Sequence, residues 1–232
     1  MSKTSNSIIE QLQANAPLHE LVRMHRYRRP GGSVSEQEFS DTYIAPLTGV
    51  TQDQDGNWIG KIGENPTVLW SSHTDTVHRE TGTQRLGITH GGAMLGLATT
   101  EDKSSCLGAD CTVGVWIMRQ MYLAGIPGLY IWHAEEETGG LGSTAIAQHS
   151  RYLLENIQAA IAFDRKGLDS VITHQWGSRT ASDTFAISLA KFLGGTYTPD
   201  SGGTFTDTAN YEHIIPECTN ISVGYYAAHT KG

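Results

Sequence analysis

Three short apolar runs each stop at a histidine or a carboxylate. Residues 67–72 run into His73-Thr74-Asp75, residues 129–132 into His133-Ala134-Glu135-Glu136-Glu137, and residues 159–163 into Asp164. Near-continuous runs of this length are strands buried on both faces, and such strands belong to parallel sheets covered by helices. The segments between them carry helical spacing. Residues 112–124 can turn Val113, Trp116, Ile117, Met121 and Leu123 toward a core, and Gly125-Ile126-Pro127-Gly128 then breaks the helix. Residues 182–193 repeat the pattern with Phe185, Leu189, Phe192 and Leu193. The expected fold is α/β, a mostly parallel central sheet with helices on both faces.

The remaining segments fill in around that frame. Ile8, Ile9 and Leu12 make a stripe for a first helix over 7–12, with Pro17 starting a break. Ser35 with Glu38 has capping-box spacing for a helix over 35–43. Strands are expected on either side of Asp55-Gly56, and a Gly-rich polar connection over 82–92. Ser143 can cap a helix reaching about Leu154, residues 171–174 form a further strand, and residues 219–223 a last one before Gly224 and His229. No repeat or long linker divides the 232 residues, so a single domain over 1–232 is expected, long enough to bury one core.

Charge and cysteine usage exclude some functions. A net charge of −8 argues against a phosphate-tracking surface, and the basic stretch from Arg23 to Arg29 reads as a solvated turn. No nucleic-acid partner and no nucleotide cofactor are expected, because the Gly-rich segment 201–207 lacks the ordered phosphate-loop pattern. Cys106, Cys111 and Cys218 cannot close a disulfide framework, and Cys111 reads as an inert buried thiol. The first fifteen residues lack an apolar signal core, and no apolar run approaches the roughly 18 residues of a membrane span. A cytoplasmic protein without membrane partners is the default reading.

The strand-end residues are the functional candidates, since ligands bind at the carboxyl edge of an open α/β sheet. Each has an ordinary explanation: Asp110 as a helix N-cap, the glutamate run as an acidic turn, Asp164 as a strand-terminal turn, His229 as an idle tail residue. Their recurrence at one sheet edge outweighs those explanations taken singly. Converging carboxylates repel, and divalent cations are the simplest stabiliser. His73 can bind metal through one ring nitrogen while Asp75 takes the proton on the other. A carboxylate such as Asp110 can bridge two cations, and adjacent glutamates can divide ligation and proton transfer.

In this order the motifs resemble the co-catalytic zinc peptidase superfamily, which includes the M20, M28 and M42 families. Ser-Ser-His73-Thr-Asp75-Thr-Val resembles the first ligand motif and Leu-Gly-Ala-Asp110 the bridging aspartate motif, with Cys111 where another acid is common. Glu136-Glu137-Thr-Gly-Gly resembles the paired-glutamate motif of the M20 branch. Ala-Phe-Asp164 and Gly-Tyr-Tyr-Ala-Ala-His229 resemble the last two ligand segments. The resemblance implies two divalent ions, zinc foremost with cobalt or manganese as alternatives. Asp110 would bridge them, Glu137 and His229 would complete one, and His73 and Asp164 the other. Glu136 would be the general base and Asp75 the orienting residue. Only 65 residues separate Asp164 from His229, so no inserted lid or dimerisation domain is expected.

The implied activity is metal-dependent amide hydrolysis, as an aminopeptidase on short peptides. A deacylase of small N-acyl amino acids or amines is the first alternative, and a non-enzymatic metal-stabilised binding domain the second. Arg179, Asp207, Tyr211 and Tyr225 are candidate substrate-pocket residues. The oligomeric state has no sequence signature.

Overall fold

The computed structural model describes residues 16–89, 94–101 and 103–231. The helix expected over 7–12 lies outside them. The principal sheet has eight strands in the order β13-β10-β14-β9-β4-β8-β3-β2. They are β2 (Thr51–Gln52), β3 (Trp58–Ile62), β4 (Val68–His73), β8 (Gly128–His133), β9 (Ala159–Arg165), β10 (Ser170–Ile172), β13 (Thr198–Asp200) and β14 (Glu217–Ser222). β14, β9, β4 and β8 run parallel, while β3, β2 and β10 join antiparallel, so the sheet is mixed around a parallel centre. Register sets His73 beside His133 and Ser71 beside both Ile131 and Ala162.

Two apolar layers cover the sheet. On one face α1 (Ala16–Met24), α2 (Val34–Tyr43), α3 (Ala109–Leu123) and α5 (Asp183–Leu193) enclose Met24, Phe39, Val115, Met118, Tyr130, Trp132 and Ala186. On the other, α4 (Leu141–His149) and the 3-10 turn Asp207–Tyr211 bury Ile146 and Tyr211 against Leu69, Leu129 and Ile131. The result is a three-layer α/β sandwich. Gly114 brings α3 close to the sheet: a Cβ there would lie 2.2 Å from the Phe163 carbonyl oxygen.

Several local expectations are corrected. Pro17 falls in the first turn of α1, where a missing N–H is harmless, instead of starting a break. The cap of α2 is Ser33, whose hydroxyl accepts the Glu36 N–H, so the helix start sits two residues earlier than Ser35 and Glu38 imply. Gly140 caps α4, which ends at His149; the Ser143 hydroxyl donates inward to the Gly140 carbonyl. The connection over 82–92 holds strand structure: β5 (Gly82–Thr83) pairs with β1 (Tyr27–Arg28), and β6 (Leu86–Thr89) with β7 (Met94–Leu97). In α3 the buried seam is Val115, Met118 and Tyr122, leaving Leu123 exposed; in α5 the small Ala186 and Ala190 are buried and Phe192 is exposed. The basic stretch is no solvated turn at its end, since Arg29 is fully buried.

Candidate metal centre

β8, β4, β9 and β14 finish at one edge, and His73 is the last residue of β4. Its Nδ1 lies 3.1 Å from both the carboxylate Oδ1 and the carbonyl oxygen of Asp75. With the ring proton donated there, Nε2 faces Asp110 Oδ1 at 3.0 Å and Asp164 Oδ1 at 3.3 Å. Asp75 has a second duty. Its two oxygens accept the Glu136 and Glu137 N–H groups at 3.1 and 3.0 Å, fixing the turn that carries both glutamates.

Asp110 enters α3 in an extended conformation (φ −82°, ψ 104°), with Gly108 in the cap position and a cis peptide to Cys111. Gly108, not Asp110, is the cap residue, and the Asp110 carboxylate faces two histidines. One oxygen meets His73, and the other lies 3.4 Å from His229 Nε2, which is 3.1 Å from Glu137 Oε2. Asp110 therefore joins a His73–Asp164 group to a His229–Glu137 group. The ligand atoms of Asp110, Glu137 and His229 lie within 4.8 Å of one another, as do those of His73, Cys111 and Asp164, and those of His73, Glu136 and Glu137. His229 is half exposed on a turn where it and Ala227 both have positive φ, 66° and 52°, a costly conformation for non-glycine residues.

A buried scaffold supports this edge. Asp164 Oδ2 accepts the Thr206 hydroxyl at 2.6 Å, its N–H donates to Asn220 Oδ1, and its carbonyl accepts the Tyr225 hydroxyl. Arg29 donates to the Thr74 carbonyl and the Thr112 hydroxyl and lies 3.9 Å over the Phe39 ring, bracing β4 against α3. Glu36 accepts the Thr74 hydroxyl and the Gly32 N–H, tying α2 to the residue after His73.

The electrostatics are those of crowded acids. Burial, then Asp164, Asp207 and Glu137, push Glu136 up to about 10, despite the opposing effect of His73. Burial and the Asp110 charge push Asp164 up to about 7. Burial alone would raise Asp110, but hydrogen bonds from His229 and His73 hold it far below the usual carboxylate range. Hydrogen bonds to Asp110 and Glu137 lift His229 to about 10. Buried Glu137 Oε1 has no hydrogen-bond partner. Two imidazoles and several carboxylates, one of them shared and one with an orphaned oxygen, form a donor set that fits divalent cations such as zinc, cobalt or manganese.

The four pocket candidates have different surroundings. Tyr225 is buried and holds the Asp164 backbone; Tyr211 is fully buried, with its hydroxyl 2.8 Å from His133 Nε2. Asp207 is buried 3.4 Å from His133 Nδ1, and burial pushes it up to about 8. Arg179 is half exposed and paired with Asp183 at 2.8 Å. Thr206, Asn220 and Arg29 carry no sequence signal for this edge, because their contacts come from distant segments; His133 ends its strand as His73 does, but its ring faces Tyr211 and Asp207.

No family model and no curated protein matches the chain. Solved structures do. Aminopeptidase PepT from Bacillus cereus superposes with a TM-score of 0.72 at 13% identity, spanning 93% of this chain and 92% of that one. The TET1 peptidase of Pyrococcus horikoshii gives 0.65 at 15%, spanning 93% of each. The LapA aminopeptidase of Legionella pneumophila gives 0.61 at 15%, spanning 100% of this chain and 67% of that one. Identities this low speak to backbone architecture. The chain shares the α/β fold of these three peptidases.

Proposed function

We propose that this protein hydrolyses amide bonds with two divalent cations, as an aminopeptidase on short peptides. The observation that carries the reading is the Asp110 carboxylate, which divides its oxygens between His73 and His229. His73 and Asp164 would hold one ion, His229 and Glu137 the other, and Asp110 both. Bound cations supply Lewis acidity, polarising the amide carbonyl and lowering the pKa of water.

Glu136 is the proton carrier. It stands at the same edge, 4.0 Å from His73 Nε2, without belonging to the Asp110–Glu137–His229 group. Positive charge beside it favours its ionised form, so it can take a proton from the attacking water. As the carbon–nitrogen bond breaks, Glu136 returns that proton to the leaving amine. Asp75 keeps His73 in one tautomer and the glutamate turn in place.

Substrate charge favours the aminopeptidase over a deacylase. The acidic side chains of Asp75, Asp110, Glu136, Glu137 and Asp164 outweigh two dications, leaving a negative edge that attracts a free ammonium. The cation a deacylase would turn to a substrate carboxylate, Arg179, is engaged with Asp183. No described helix is long and apolar enough to cross a membrane.

The test is a panel of aminoacyl amides and N-acyl amino acids on zinc- or cobalt-loaded protein. The reading predicts cleavage of free-amine substrates, reduced at least about a hundredfold in Glu136→Gln with metal uptake unchanged. Cleavage of blocked substrates alone would assign a deacylase. Metal uptake without any cleavage would assign a binding domain.

A further inference from the structure

The hairpin of β11 (His174–Gln175) and β12 (Ser178–Arg179) turns through Trp176 and Gly177, both in the left-handed region, with φ 49° and 82°. Glycine takes that conformation freely. A two-residue turn of this kind favours asparagine at the first position, and a bulky aromatic there is strained. Burial does not compensate, because Trp176 is 78% exposed. Local folding therefore gives no reason for a tryptophan at this tip.

The tip is nevertheless held firmly. Gln175 is buried and donates its amide to the Thr180 and Thr208 hydroxyls and the Cys218 carbonyl, while its backbone bridges Gly203. The indole leans on Phe205, with ring centroids 5.0 Å apart and planes at 42°. Phe205 touches the candidate metal centre's scaffold from two directions. A Cβ on Gly140 would meet its Cζ at 2.5 Å, and the Gly140 N–H bonds the Glu136 carbonyl at 2.9 Å. The next residue, Thr206, holds Asp164.

We propose that Trp176 and Phe205 form a subsite for the apolar side chain of the substrate residue beside the scissile amide, aromatic side chains above all. This rests on the hydrolase reading. Two tilted rings on a rigid support offer an aromatic side chain offset or edge contacts, and covering an exposed indole adds apolar burial. Glu136 and Asp164 lie on the segments that Phe205 abuts, which sets the subsite beside the proposed catalytic groups.

The experiment compares Phe-Ala, Ala-Phe and Ala-Ala on zinc-loaded wild type, Trp176→Asn and Phe205→Ala. Asparagine suits the turn, so loss of preference in that variant is not misfolding; its thermal midpoint should match or exceed wild type. Wild type should favour one Phe-containing dipeptide over Ala-Ala by roughly tenfold or more in kcat/KM, falling to about twofold in either variant. A preference surviving both substitutions, or no preference in wild type, overturns the subsite. So does a changed solution mass in Trp176→Asn with the preference intact, which would make the tryptophan a subunit contact. Titration with phenylalanine amide, read as quenching of the Trp176 indole (wild type minus Trp176→Phe), separates the two claims. Quenching without hydrolysis of any dipeptide sinks the hydrolase reading and keeps the subsite, whereas neither quenching nor hydrolysis overturns the subsite too.

Discussion

Asp75 coordinates more of the candidate site than its place two residues beyond a strand implies. One carboxylate oxygen fixes the His73 ring, and the pair together accept two backbone donors from the glutamate turn. Asp75→Asn keeps the shape but offers only one acceptor, so one N–H loses its partner and the imidazole loses a charged one. Zinc affinity should fall by about 10- to 100-fold, measured by competition with a chelating dye. Unchanged affinity would mean that Asp75 is only a turn residue. His73, Asp75, Asp110, Glu136, Glu137, Asp164 and His229 could be picked out in the sequence because apolar runs or helix starts adjoin them. Thr206 and Asn220 could not, and Tyr225 reads only as a pocket candidate: each reaches Asp164 across 42 to 61 residues of chain, a separation that no local pattern encodes.

At the scale of elements, the approach of α3 to β9 brings Asp110 and Asp164 to the same histidine. Gly114 is the contact that permits it. A Cβ there would meet the Phe163 carbonyl oxygen at 2.2 Å and Cys111 Sγ at 2.4 Å. Gly114→Ala should therefore destabilise the fold by about 1–3 kcal/mol through overpacking, despite alanine's better helix propensity, and should weaken metal binding as α3 is pushed outward. A urea midpoint at or above wild type would show that the helix has room to spare. Sequence pattern located the central strands and α2 to α5 but missed α1, where Pro17 reads as a break, and mistook several ends. The cap is displaced because Ser33 with Glu36 and Ser35 with Glu38 share one spacing, and the Ser35 hydroxyl is taken by the Arg28 carbonyl instead. The strands within 82–92 escaped notice because two- to four-residue strands carry too few side chains to show alternation.

At the scale of the molecule, parallel pairing of β8, β4, β9 and β14 turns scattered strand ends into one edge. The α/β class followed from the apolar runs, whereas the antiparallel flanks depend on pairings that no single run encodes. Once the edge exists, its acids crowd together, and Coulomb repulsion in a buried setting makes cations the natural complement. Anomalous diffraction from zinc-soaked crystals tests this most directly. Two peaks roughly 3.5–4 Å apart are expected, with Asp110 touching both, His73 and Asp164 on one, and His229 and Glu137 on the other. A single ion, or ions bound away from Asp110, would contradict that arrangement.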